Sequence, residues 1–269
     1  MVLRARAVAT ALGSAALLSI AACRTGRDYA AADVPRQAAP PPRPPPARAD
    51  SLRVVSFNVA FARRPAEAAA LLAADAATRG ADVVLLQEMD ADGTRRVAEA
   101  LGMGYVYYPA IRHRRTRRDF GNAVLTRWPV AADARLVLPH PSRYAGTHRT
   151  ATAATLAVGA ARVRVYSTHL GTALDVGDGA RRAQLRAVLA DAAALALAVV
   201  GGDFNDGGVA AAGVAAGFAW ATRAGPRTTR FGRWDHVLVK GLRVAAAGTG
   251  PDARGVSDHR PVWAVALLP

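Results

Sequence analysis

The chain has 269 residues, is 52% hydrophobic, and sets 35 Lys and Arg against 20 Asp and Glu for a formal charge of +15. That apolar share excludes a disordered chain, and the length allows a sizeable core. A single Cys excludes an internal disulfide framework, and the basic balance favours anionic partners: nucleic acid, phospholipid headgroups or phosphorylated small molecules.

Residues 1–22 read as an export signal. Arg4 and Arg6 supply the positive start, and Ala7 to Ile20 is an apolar stretch of signal-core length, too short and Ala-rich for a membrane span. It ends in Ile20-Ala21-Ala22-Cys23, which resembles the bacterial lipoprotein cleavage box. Cys23 is therefore expected to carry lipid and to anchor the protein to a membrane of the bacterial cell envelope, outside the cytoplasm. The alternatives are an ordinary signal peptide or an uncleaved anchor with an incidental Cys. Residues 23–50, with Pro40-Pro41-Pro42 and Pro44-Pro45-Pro46, are expected to form a disordered tether of extended polyproline geometry. Residues 51–269 then form one domain without internal repeats. Residues 1–50 hold +4 of the charge and the domain +11, with Lys240 the only Lys.

Within the domain, Leu52 to Ala60 alternates as a strand does, and Pro65 to Arg79 is a helix starting at Pro and stopping at Gly80. Asp82 to Met89 is a fully buried strand, Asp92 to Leu101 a helix closed by Gly102, and Tyr105 to Tyr108 a short aromatic strand. Ala110 to Asp119 is a basic loop. Ala123 to Thr126 and Arg135 to Leu138 are strands on either side of Trp128-Pro129. Thr150 to Val158 and Arg162 to His169 form a hairpin turning near Gly159. Ala180 to Ala196 is a helix, Ala198 to Gly201 a buried strand, and Asp206 to Ala216 a small helical excursion. Trp234 to Lys240, Arg243 to Ala247 and Pro261 to Leu267 close the fold as strands. The strands outnumber those of a simple βαβ series, which argues for two packed sheets with helices outside.

Four polar islands end apolar runs, Ser56-Phe57-Asn58-Val59, Gln87-Glu88, Thr168-His169-Leu170 and Gly202-Asp203-Phe204-Asn205, and a fifth, Ser257-Asp258-His259, stands at a strand entrance. Strand ends pointing one way bring such side chains into one cleft. Oxygen donors of this kind suit Mg²⁺, Mn²⁺ or Ca²⁺, and nothing here has the Cys and His clustering of a zinc site.

These islands, in this order, resemble the endonuclease/exonuclease/phosphatase superfamily, whose members include DNase I, abasic-site endonucleases, neutral sphingomyelinases and inositol-phosphate phosphatases. The resemblance covers residues 52–268. It implies a four-layer α/β sandwich, with two mixed, mostly antiparallel sheets flanked by helices. By the same resemblance Glu88 is the principal metal carboxylate, with Asn58 and Asp258 at the metal site, and Asp203 orients or deprotonates the attacking water. Asn205 donates to a phosphate oxygen, and His169 contacts the scissile phosphate or protonates the leaving oxygen. His259 is the imidazole beside the phosphate, oriented by Asp235; His259 and Asp203 both stand as candidate bases. Asn122, in Gly121-Asn122-Ala123, is a candidate donor to the phosphate or a turn former. Arg149 is a candidate clamp for an anionic substrate. The Arg112–Arg118 run is either a grip on a polyanion or lipid surface or a solvated loop.

The chain departs from abasic-site endonucleases, which carry an acidic residue two after the strand's Asn, where this chain has Ala60. A DNA-penetrating loop rich in aromatics and Lys is also missing. The expectation is a monomeric, exported, membrane-tethered, Mg²⁺-dependent (or Mn²⁺- or Ca²⁺-dependent) phosphoesterase, a phosphodiesterase of phospholipid or small phosphoesters. The alternatives are a secreted nuclease of DNA or RNA and a non-catalytic, polyanion-binding surface lipoprotein.

Overall fold

A computed structural model describes residues 27–31, 33–114 and 116–269; the signal segment and Cys23 lie outside them. In chain order the elements are β1 (Arg27–Asp28), β2 (Gln37–Ala39), β3 (Ser51–Asn58), α1 (Pro65–Ala74), β4 (Val83–Met89), α2 (Ala91–Leu101), β5 (Gly104–Arg112), β6 (Asp119–Thr126), β7 (Val130–Val137), β8 (Thr150–Val158), β9 (Ala161–His169), α3 (Asp178–Ala193), β10 (Ala198–Asp203), α4 (Ala211–Ala215), β11 (Ala219–Trp220), β12 (Asp235–Lys240), β13 (Arg243–Thr249) and β14 (Val262–Leu267).

The strands build two sheets, β1-β5-β6-β4-β3-β14-β13, with β2 also on β5, and β11-β12-β10-β9-β8-β7. Each has one parallel pair at its heart, β3 with β4 and β9 with β10; the other pairs are antiparallel. Strand periodicity divides the core into three. Leu52, Val54, Val83 and Leu85 of the first sheet meet Val163, Val165, Val199 and Val237 of the second between the sheets. Val55, Phe57, Val84 and Leu86 point outward onto Leu72 of α1 and Val97 of α2. Tyr166, Val200 and Leu238 point the other way, onto Leu185 and Val188 of α3. The layers are therefore helix, sheet, sheet, helix, the four-layer sandwich expected. The close approach of the central strands requires Gly202, where a Cβ would lie 1.8 Å from the Thr168 carbonyl oxygen.

Local chemistry sets the boundaries. Helix α2 opens on Asp90, whose side chain accepts from the Gly93 N–H, and closes on Gly102 at φ 64°. Helix α1 ends at Ala74, earlier than expected, because the Asp75 side chain accepts from the Ala77 N–H at 2.9 Å and draws the chain into a turn. Strand β5 runs further than the aromatic patch suggested, and the basic loop is the tip of a β5–β6 hairpin.

The largest departure is the tether. From Arg27 the described part lies along the domain as a strap, pairing with β5 through β1 and β2. Arg36 makes a two-pronged contact with Asp133 at 2.7 and 2.6 Å, and Tyr29 Oη donates to Asp119 at 2.8 Å. The proline run is already extended, so laying it down costs little conformational entropy, and it covers the edge of β5.

Gly104→Val tests the strap, because a Cβ there would stand 2.4 Å from Pro41 N and 2.7 Å from the Ala39 carbonyl oxygen. The expected outcome is a loss of roughly 1–3 kcal/mol and at least about ten-fold faster trypsin cleavage at Arg48, which precedes Ala49. Cleavage at the parent rate would mean that the segment is not held.

Candidate active site

The site forms where the two parallel pairs end side by side. Asn58 closes β3, His169 closes β9, Asp203 closes β10 and Asp235 opens β12, with Asp203 in register with both His169 and Asp235. All four stand on the strand face that meets the opposite sheet. Glu88 does not follow by periodicity. Its neighbours Leu86 and Val84 face the helices, so an ordinary strand would turn Glu88 away from the cleft. A register shift between Leu86 and Met89, with Glu88 left-handed at φ 59°, turns it back. Such a conformation costs a non-glycine residue about 1–3 kcal/mol. Asn58 Nδ2 offsets it by donating to Glu88 Oε1 at 3.1 Å, and the Phe61 N–H by donating to Oε2 at 2.9 Å. Phe61 is presented by three successive left-handed residues, Ala60, Phe61 and Ala62.

The same Asn58 amide donates to Asp203 Oδ2 at 3.0 Å, while Asp203 Oδ1 accepts from the Asn205 N–H at 2.8 Å. His259 Nδ1 lies 2.9 and 3.1 Å from the two Asp235 oxygens, and its Nε2 lies 3.6 Å from Asp203. His169 Nε2 is 3.4 Å from Asp203, and its Nδ1 is 4.0 Å from Glu88 and has no hydrogen-bond partner.

Burial alone would push the His259 imidazole down, but Asp235 and Asp203 outweigh it and hold the pKa up to about 10. Burial pushes Asp203 up to about 7, with Asp235 adding and the His259 charge opposing. Burial also raises Glu88 and, with Arg149 and His259 nearby, drives His169 well below the usual histidine range. The site thus holds one imidazolium, one neutral imidazole and a carboxylate poised near neutrality.

A cavity of about 370 Å³ is lined by Glu88, Arg149, His169, Asp203, Asn205, Asp258 and His259. Asn58 and Asp235, both fully buried, stand behind its wall. Asp258 is exposed on its rim. Asn205 gives one amide hydrogen to the Leu170 carbonyl at 2.9 Å and keeps the other. Asn122 is the exception: it does not line the cavity, and its amide donates to the Thr150 carbonyl at 2.8 Å, tying β6 to β8. Its reading as a phosphate donor is therefore corrected to a link between the two sheets.

Asp203, Asp235 and His259 have potential ligand atoms within 4.8 Å of one another. Nδ1 of His259 is already occupied by Asp235, so this trio is better suited to hold a proton than a metal ion. Glu88 fits a cation better. It is a half-buried carboxylate with no Lys or Arg in ion-pair range among the described residues, and it faces the orphaned His169 Nδ1. Hard oxygen donors such as Glu88 and Asp258 match Mg²⁺ or Mn²⁺ chemistry. Asn58 turns its Nδ2 to Glu88 and its Oδ1 to the Ala60 N–H at 3.0 Å, so it positions the carboxylate and offers the cation no free oxygen.

Several contributors carried no role in the sequence reading. Ser257 Oγ donates to the Asn58 carbonyl at 2.7 Å and accepts from the His259 N–H at 3.1 Å, fastening the histidine loop to β3. Gln87 reaches across the sheets to Ser167 at 2.9 Å, and a buried Gln inside an apolar strand was the available signal. Phe61, His113 and Phe120 form an aromatic wall, with Phe120 centred 5.7 Å from His169. A second groove of about 510 Å³ shares Trp234, Asp258 and His259 with the cavity and carries Phe231, Arg227, Arg230, Arg254 and Arg260.

A model of the Endonuclease/Exonuclease/phosphatase family matches residues 55–259. Among solved structures, an endonuclease/exonuclease/phosphatase from Beutenbergia cavernae DSM 12333 is 24% identical, over 81% of this chain and 72% of that one, with a TM-score of 0.67. The human nocturnin catalytic domain with a bound sulfate anion is 18% identical, over 87% and 98%, with a TM-score of 0.65. Sphingomyelinase C from Streptomyces griseocarneus is 21% identical, over 81% and 99%, with a TM-score of 0.58. At these identities the likeness establishes the fold. A search of curated proteins finds no match.

The Asp235–His259 pair yields a pH prediction. With its pKa raised, His259 stabilises the fold fully below about pH 6.5, and that contribution is lost as the pH rises toward about 10. Asp235→Asn should bring the imidazole down to about 6.5 or below, read by NMR titration of the ring protons, and should flatten the fall in stability across that window. A titration unchanged near 10 would mean that Asp235 does not hold the proton.

Proposed function

This chain belongs to the endonuclease/exonuclease/phosphatase family, hydrolases of phosphoester bonds that generally use a divalent metal ion, and we propose that it is a Mg²⁺-dependent phosphodiesterase, exported and held at a membrane by lipid on Cys23. The reading rests most on the half-buried Glu88 carboxylate, with no Arg or Lys in ion-pair range among the described residues, facing the His259 imidazolium across one cavity.

Glu88 and Asp258 would hold the cation, with Asn58 fixing the Glu88 carboxylate through its amide, and the cation would supply neutralisation of charge on a non-bridging phosphate oxygen. The remaining chemistry belongs to the protein. Asp203, with its pKa near 7, accepts a proton from the attacking water. His259, charged over the working pH range, cannot be that base; it donates from Nε2 to the phosphate and stabilises the added negative charge. Asp235 keeps it charged and aimed. Neutral His169 contacts the phosphate or the leaving oxygen, Asn205 offers its remaining amide hydrogen, and Arg149 at the cavity wall draws the anion in. Water attacks phosphorus directly; Ser142, the serine on the cavity wall, gives its hydroxyl proton to Asp175 and is not paired with either histidine.

The cavity suits a small phosphoester or lipid headgroup rather than a duplex. A second reading, a nuclease acting on single strands, is favoured by the adjoining groove. There Phe231, 63% exposed, stacks on Trp234 at 5.4 Å, with the Arg230 guanidinium 4.4 Å above it.

Hydrolysis of bis-p-nitrophenyl phosphate by the purified protein, with Mg²⁺ or Mn²⁺ and with EDTA, tests the activity. Turnover should need the metal and disappear in EDTA; phospholipid vesicles and single-stranded DNA then separate the two readings. No turnover of any substrate would favour a polyanion-binding lipoprotein. Glu88→Gln should lower metal-dependent turnover by at least about 10³-fold while far-UV dichroism stays unchanged; activity near that of the parent would remove Glu88 from the metal site. His259→Ala should cost about 10²–10⁴-fold in kcat, and a loss of only a few-fold would exclude it from catalysis.

A further inference from the structure

A free tether would leave the domain far from its anchor. Twenty-eight peptide steps separate Cys23 from Ser51, and at a polyproline rise they reach roughly 90 Å. The strap removes most of that reach. Arg27 pairs with Arg112 and Asp28 with Ile111, and the Tyr29 N–H donates to the Ala110 carbonyl at 3.0 Å. Asp28 Oδ2 also lies 2.8 Å from His148 Nδ1. Only four peptide steps then lie between Cys23 and Arg27, about 14 Å at full extension.

The place where the strap begins is chemically specific. Because β1 is antiparallel to β5, it starts beside the tip of the β5–β6 hairpin. On that hairpin Arg112, Arg114 and Arg117 are exposed, whereas Arg118 is tied to Asp90. No acidic residue occurs between Ile111 and Arg118, and Asp119 is engaged by the Tyr29 hydroxyl. The same end of the hairpin, through Ile111, His113 and Phe120, forms one wall of the catalytic cavity. Attraction to surface charge fades over about 8 Å at physiological salt. A hairpin roaming at the end of a long tether would feel little of it, while one held within about 14 Å of the lipid-bearing residue stays close to that range.

We propose that the tip of the β5–β6 hairpin, with Arg112, Arg114 and Arg117, is a docking surface for an anionic phospholipid membrane, and that the strap sets this end of the catalytic cavity against the bilayer. The anchoring half of this statement rests on the lipoprotein reading given above; the docking half rests on the hairpin alone. It favours substrates presented at the membrane surface.

The test is the distribution of the purified full-length protein between neutral phosphatidylcholine vesicles and vesicles also containing phosphatidylglycerol, at low and high salt. The parent protein should prefer the anionic vesicles by at least about ten-fold at low salt and lose that preference at high salt. Arg112→Gln, Arg114→Gln and Arg117→Gln together should abolish the preference, while turnover of water-soluble bis-p-nitrophenyl phosphate stays within a few-fold of the parent. A preference that survives the triple substitution, or a parent protein with none, overturns the proposal. Stronger capture by single-stranded DNA than by anionic vesicles at equal phosphate would assign the hairpin to nucleic acid instead. Cys23→Ser examines the anchor separately. It should weaken binding to both kinds of vesicle and leave the preference intact; unchanged binding would refute the lipid anchor while the hairpin's preference is still read.

Discussion

A single amide holds this active site together. Asn58 Nδ2 donates to Glu88 of one parallel strand pair and to Asp203 of the other, at 3.1 and 3.0 Å. Two carboxylates from different sheets would otherwise repel each other in a medium that screens poorly. The neutral donor between them fixes their spacing without cancelling their charge. That leaves Glu88 available to a cation and Asp203 to a proton, and it explains why Asn58 is buried behind the cavity instead of lining it.

The rest of the site follows from how each charge is compensated. His259 is buried and yet charged because Asp235 contacts it and Asp203 lies near. His169 has Asp203 at 3.4 Å but no carboxylate hydrogen-bonded to its Nδ1, and burial, with the Arg149 and His259 charges nearby, drives it neutral. Two histidines thus take opposite protonation states within one cavity, and two carboxylates divide the work: Asp235 holds a proton on its partner, and Asp203 is poised to take one. Backbone strain supports the arrangement. The left-handed turn at Glu88 and the three left-handed residues at 60–62 together bring Glu88 and the Phe61 N–H into hydrogen-bonding distance.

Around this centre, the periphery is more specialised than a bare hydrolase needs. A strap covers the β5 edge, a basic hairpin stands where the strap begins, and an Arg-lined aromatic groove adjoins His259 on the other side. The groove is crowded with guanidinium groups, which suits an anionic substrate portion and disfavours a cationic headgroup. The hairpin and the groove flank the same cavity, one through Ile111, His113 and Phe120 and the other through Trp234, Asp258 and His259.

Much was determined by the sequence itself. Alternation and apolar runs gave β3, β4, β8, β9 and β10 nearly to the residue, because a strand buried on both faces leaves a compositional mark. Gly102 and Asp90 marked a helix boundary through local chemistry alone. Asn58, His169 and Asp203 were legible as polar residues ending apolar runs and Asp235 only through the family resemblance, and the structure brings the four together. Tertiary structure alone decided three things. It turned Glu88 into the cleft, against strand periodicity, through a bulge that no local sequence signal announces. It spent the Asn122 amide on Thr150 across the sheet interface, a contact over 28 residues that spacing cannot reveal. And it laid the proline-rich segment against β5, because proline composition reports the shape of a chain and only a partner surface determines where that chain lies.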